Sequence, residues 1–150
     1  MPYLAQRYPY RQSDVRAAAH RALRWLEAKN GGHLPRDWKS AWKLTVRCGL
    51  SCRHLREASS RDGELAQDAS GEWTIFYHVR LRDDQRVVVL IHELVEWLCI
   101  TESPQLMLDL PGGGVYAYDG GDNPQDVRHQ AARCAERMYL GSGSGGKSAQ

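Results

Sequence analysis

The stretch Val87-Val88-Val89-Leu90-Ile91-His92-Glu93-Leu94-Val95-Glu96-Trp97-Leu98-Cys99-Ile100 decides how this chain is read. It is apolar at helical length, and only His92, Glu93 and Glu96 interrupt it. A helix that is apolar on every side is normally buried, and burying a carboxylate without a partner is costly. From Val87 to Val127 the chain carries Glu93, Glu96, Glu102, Asp109, Asp119, Asp122 and Asp126 but no Lys or Arg. Buried acids without basic neighbours along the chain point to a bound cation.

Spacing supplies the geometry. At about 100° per residue, His92 and Glu96 lie only about 40° apart and one turn on, so both heads reach one point. Glu93 stands about 100° further round, too far to share that point but near enough to touch a water held there. The pattern H-E-x-x-E differs by one residue from H-E-x-x-H, in which two His bind zinc and the Glu is a general base. Zinc with an open position is often held by two His and one Glu, so with Glu96 as one ligand a second histidine is expected from a separate downstream element. His129 is the sole histidine after His92. Its helix is well signalled: Asn123 can cap, Pro124 fits the first turn, Asp126 suits the positive end, and Val127, Ala131, Cys134, Ala135 and Met138 form an apolar stripe.

The chain of 150 residues suffices for one domain with a real core, and 42% hydrophobic with 25% charged residues is ordinary for a soluble globular protein. Residues 1–140 are expected to form that domain, and the Gly/Ser-rich 141–150 a flexible tail. No apolar run reaches the ~20 residues of a membrane span, and Met1 to Arg7 lacks the apolar core of a signal peptide. A cytoplasmic protein without membrane contact is expected. Cys48, Cys52, Cys99 and Cys134 make no disulfide framework, and the lone pair Cys48-x-x-x-Cys52 makes a poor metal knuckle. The formal charge of +2 hides an asymmetry: residues 1–60 hold twelve Lys and Arg against four acids, or +8, which leaves −6 for the rest. Such a basic first third fits nucleic acid or an acidic partner, although solvated helix faces are often basic with no partner.

In chain order, Ser13 caps a helix to about Lys29, with His20 near its apolar side and Asn30-Gly31-Gly32 as its stop. Asp37 caps a second helix to roughly Arg47, stopped by Gly49. Leu50 to Arg56 reads as a strand in preference to the second half of a helix-turn-helix. Ser59 to Gly71 is polar and loop-like, Glu72 to Leu81 is the clearest strand, and Asp83 or Asp84 caps the apolar helix. Gln105 to Asp122 is a Gly-rich connection between the two ligand-bearing helices, a place where substrate-facing groups commonly lie.

With a strand before it, and Gly121-Asp122-Asn123-Pro124 and the helix around His129 after it, His92 to Glu96 resembles the motif of a small zincin. The layout is closest to the ImmA/IrrE-type metallopeptidases, and it is also similar to a group of uncharacterised phage and prophage proteins with an H-E-L-x-E helix. The likeness covers roughly residues 70–140. It implies an α+β, zincin-like fold: N-terminal helices, then a short twisted sheet packed on a buried metal-binding helix, with a cleft along an edge strand taken to be Trp73 to Leu81. Substrate peptides of such enzymes add to that strand through backbone hydrogen bonds. The ligand types are exchanged relative to the ImmA/IrrE type, with Glu96 for the second His and His129 where a carboxylate is usual.

The expected activity is therefore zinc-dependent peptide hydrolysis. One zinc ion is held by His92, Glu96 and His129, Glu93 is the base that takes a proton from water and passes it to the leaving amine, and Glu136 orients a ligand from behind. Tyr116 or Tyr118 donates to the oxyanion, by loop position alone. A second reading, of another class, is a non-enzymatic, metal-stabilised scaffold that binds nucleic acid or an acidic protein through its basic N-terminal helices. A third is metal-free: His92 and Glu96 form a buried hydrogen-bonded pair, with Glu93 on a solvent edge.

Overall fold

In the computed structural model, residues 12–102 and 127–148 are described. They form an α+β protein of four helices and one three-stranded mixed sheet: α1 (Gln12–Lys29), α2 (Trp38–Arg47), β1 (Ser51–His54), β2 (Gly63–Gln67), β3 (Trp73–Tyr77), α3 (Asp83–Thr101) and α4 (Val127–Ser148). Two compact units arise, one from residues 1–24 with 95–150 and one from 25–94. Both divisions fall inside helices, α1 and α3, that run through them unbroken.

In the first unit the buried apolar side chains are Val15, Ala18, Ala19, Ala22 and Leu23 of α1, Val95, Leu98 and Cys99 of α3, and Ala131, Ala132, Ala135 and Tyr139 of α4. The alanine spacing on α1 and α4 repeats at helical period, and small side chains let backbones approach closely. The α4 helix continues beyond Gly141 to Ser148, over residues whose composition reads as a tail. His20 is exposed, not set against the core.

The second unit holds α2 and the whole sheet. Asp37 caps α2 as the sequence predicts: its backbone is extended and its carboxylate accepts from the Ser40 backbone N–H at 2.8 Å. These bonds hold the Asp37 carboxyl below the usual carboxylate range. Gly49, at φ 93°, supplies the left-handed turn that ends the segment. The sheet order is β1-β3-β2, with β1 parallel and β2 antiparallel to β3.

Two expectations are corrected by this topology. Ser59 to Gly71 is not all loop, because Gly63–Gln67 is a strand whose residues pair with Tyr77 to Trp73. Nor is Trp73–Tyr77 an edge: it is the central strand, hydrogen-bonded on both sides, so β1 and β2 are the edges. Its backbone groups are spent within the sheet, and an added peptide would have to pair with an outer strand.

Alternation along β3 sends Ile75 and Tyr77 to the buried face. Gly63, opposite Tyr77, falls on that face too, and there β2 meets α3: a Cβ built on Gly63 collides with Val89 Cγ1 and would lie 3.3 Å from the Phe76 carbonyl oxygen and 3.2 Å from Glu93 Oε2. Glycine is thus required here for space. Gly63→Ala is expected to cost about 1–3 kcal/mol by overpacking, read as a lower urea midpoint with unchanged m-value. An unshifted midpoint would show that the strand is not pressed on the helix.

Candidate metal centre

The motif stands on α3 as its period predicts. Val87, Leu90, Ile91, Leu94, Val95, Leu98 and Cys99 are all buried, and they carry His92, Glu93 and Glu96 inward with them. Glu96 is 5% and Glu93 8% exposed, while His92 and His129 are half-buried. Glu93 is therefore not on a solvent edge, as the metal-free reading expects; its carboxylate lies against Gly63 of β2.

Glu96 and His129 meet within the first unit, with Nδ1 of the imidazole 3.0 Å from Oε2 of the carboxylate. The carboxylate can only accept, so the imidazole donates when no ion is present. His92 precedes Glu96 by one turn on the same unbroken helix. Among the described residues, His92, Glu96 and His129 form a group in which one ligand atom from each lies within 4.8 Å of the others. Donors bonded to tetrahedral zinc at about 2.0–2.2 Å stand about 3.3 Å apart. The Glu96–His129 distance of 3.0 Å is short enough for both atoms to share an ion, and no pair in the group exceeds 4.8 Å.

Two imidazoles and one carboxylate suit zinc and neighbouring divalent transition ions in kind. Three side chains would fill three positions of a tetrahedral ion, and both imidazoles are half-buried. The residues present thus fit a divalent ion.

Glu136 is half-buried on α4, almost two turns beyond His129. Tyr116 and Tyr118 lie outside the described residues, as do Asp109, Asp119, Asp122, Asn123, Pro124 and Asp126. Arg128 was not singled out by the sequence reading, yet it is only 4% exposed. It brings a cationic side chain into the interior of the first unit, next to His129. Its sole signal is its position on the apolar side of α4, one turn before the buried Ala131 and Ala132.

Cys48 and Cys52 do not extend the group. Burial pushes both thiols up to about 11, against a smaller lowering by Lys29 and Arg47 at Cys48 and by the Thr45 hydrogen bond at Cys52. Cys99 is buried and Cys134 half-buried, and none of the four cysteines is in a disulfide. Comparison of the chain with protein-family models, with curated proteins and with solved structures finds no match. What defines the protein is its own geometry: an α+β chain with a His-Glu-His group able to hold a metal ion.

Two measurements follow. Calorimetric titration of the chelator-treated protein with zinc is expected to show one site, weakened at least ~100-fold by His92→Ala or His129→Ala; equal affinity in either variant would remove that residue from the ligand set. Alkylation of Cys48 and Cys52 by iodoacetamide at pH 8 is expected to be at least ~10-fold slower than that of an ordinary cysteine, since few thiolates are present. Alkylation at the ordinary rate would contradict their burial.

Proposed function

We propose that this protein is a zincin-like, zinc-dependent peptidase, with His92, Glu96 and His129 as metal ligands and Glu93 as general base. The observation that carries the reading is the meeting of those three side chains, two from one turn of α3 and one from α4, beside a second buried carboxylate. A divalent ion held there supplies Lewis acidity toward a carbonyl oxygen and makes water more acidic.

Glu93 does the proton work. Its carboxylate is adjacent in sequence to His92 but directed toward β2, so it is not spent on the ligand group. At 8% exposure its carboxylate is largely screened from bulk water, and its role is to take a proton from water and pass it to the leaving amine. Next to it runs β2, an outer strand with one side of its backbone outside the ladder. An extended peptide that pairs with the outer side of β2 would run alongside Gly63, the strand position that Val89 and Glu93 of α3 both approach. The edge-strand role assigned from sequence to Trp73–Leu81 passes to Gly63–Gln67.

Glu93→Gln tests this assignment. The amide keeps the size of the acid and removes the base, so the variant is expected to bind zinc as tightly as the parent while cleavage of an unstructured protein such as casein falls by about 10²–10⁴-fold. Undiminished, chelator-sensitive cleavage by Glu93→Gln would dismiss Glu93 as the base, and the absence of cleavage by the zinc-loaded parent would dismiss the peptidase reading.

A further inference from the structure

A second surface, independent of the metal group, lies on α2 in the second unit. Ala41, Leu44 and Thr45 bury one side of α2. Two parallel stripes about 100° apart lie on the rest of the helix, one opposite the buried side and one bordering it. One is Lys39, Lys43 and Arg47, all exposed; the other is Trp38, Trp42 and Val46, of which the tryptophans are half-buried and Val46 is 54% exposed. Each stripe runs about 12 Å along the helix. Arg53 and Arg56 are exposed on and just beyond the edge strand β1.

The aromatic stripe is held from within. Trp38 packs edge-on against Tyr77 at 4.8 Å and against Trp42 at 5.5 Å, and the Arg86 guanidinium sits over both the Trp38 ring (5.6 Å) and the Tyr77 ring (5.2 Å). Exposed His54 adds a further edge contact to Tyr77 at 5.0 Å. Trp42 is thereby fixed as the outer aromatic of the cluster, with little rotamer freedom left to lose on binding. Arg47 is partly engaged, through the Lys29 carbonyl at 3.2 Å. Lys39, Lys43, Arg53 and Arg56 have no carboxylate within ion-pair distance among the described residues. Asp37, the acid nearest Lys39 and Lys43, is occupied by Ser40.

We propose that this face of α2 binds single-stranded nucleic acid, with phosphates on Lys39 and Lys43 and a base stacked on Trp42; Arg53, which pairs with Phe76, points to the other face of the sheet and takes no part. Unpaired cations alone would suit any polyanion. A rigid, partly exposed indole one residue before Lys43 selects for a partner that carries a flat π-face beside each negative charge, which single strands offer and acidic polypeptides do not. Duplex DNA hides those faces in its stack, so the surface favours unpaired strands.

The test is fluorescence anisotropy of labelled single-stranded oligothymidylate with the full chain. The parent is expected to bind at low salt. Trp42→Leu, which keeps apolar bulk, is expected to lose about 10-fold in affinity, while Trp42→Phe stays within about 3-fold of the parent. The double variant Lys39→Ala/Lys43→Ala is expected to make the slope of log affinity against log salt shallower by about 1.4, while Arg53→Ala leaves it unchanged. The proposal is overturned if the parent does not bind, if Trp42→Leu binds like the parent, if duplex of equal length binds as tightly, or if oligoglutamate competes as well as unlabelled oligothymidylate. The last result would assign the face to an acidic polypeptide. None of the substituted residues belongs to the His92, Glu96 and His129 group, so metal binding by these variants is expected to equal the parent's and the outcome is separable from that of the metal group.

Discussion

The contact between Glu96 and His129 is the constraint on which the functional half of this structure depends. A carboxylate at 5% exposure on an apolar helix is tolerable only if something meets its charge, and the imidazole 3.0 Å away does so. That contact ties α4 to α3 at one defined turn. It also places two different ligand types side by side, with His92 one turn back along α3. If the contact served stability alone, an apolar pair of similar volume would do as well or better, because buried polar pairs rarely gain much over good packing. An acid and an imidazole side by side, with His92 close by, are a group that could hold a metal ion.

The two carboxylates of the motif are separated in role by the helix period. Glu96 turns toward α4, and Glu93, about 100° away, turns toward β2. The two carboxylates therefore meet different neighbours, Glu96 the His129 imidazole and Glu93 the Gly63 strand position. The missing side chain at Gly63 makes the second orientation sterically compatible with the strand, which links a packing detail of the sheet to the chemistry proposed for the helix.

Much of this was legible in the sequence. The helical stretches α1 to α4, the cap at Asp37, the stop at Gly49 and the His92, Glu96, His129 group follow from period and residue type, whereas the strand at Ser51–His54 carries only weak alternation and few β-branched residues. Strand β2 was not legible, because Gly63-Glu64-Leu65-Ala66-Gln67 has weak β propensity and is specified by pairing with β3. The order β1-β3-β2 escaped for a related reason: nothing local says that the best strand-former occupies the centre, although an apolar strand covered on both edges is the natural place for Trp73–Tyr77. Arg128 was hidden by the expectation that arginine faces solvent. The paired stripes of α2 were visible only as a charge excess until the exposure of Val46 and the packing of the two tryptophans separated one face from the other.

The most direct measurement of the central claim is the visible absorption of the protein loaded with cobalt(II) in place of zinc. The account predicts intense d–d bands of low-symmetry, four-coordinate cobalt that are lost in His129→Ala and altered in Glu96→Gln. A spectrum indistinguishable from that of aqueous cobalt, or bands unchanged by both substitutions, would contradict it.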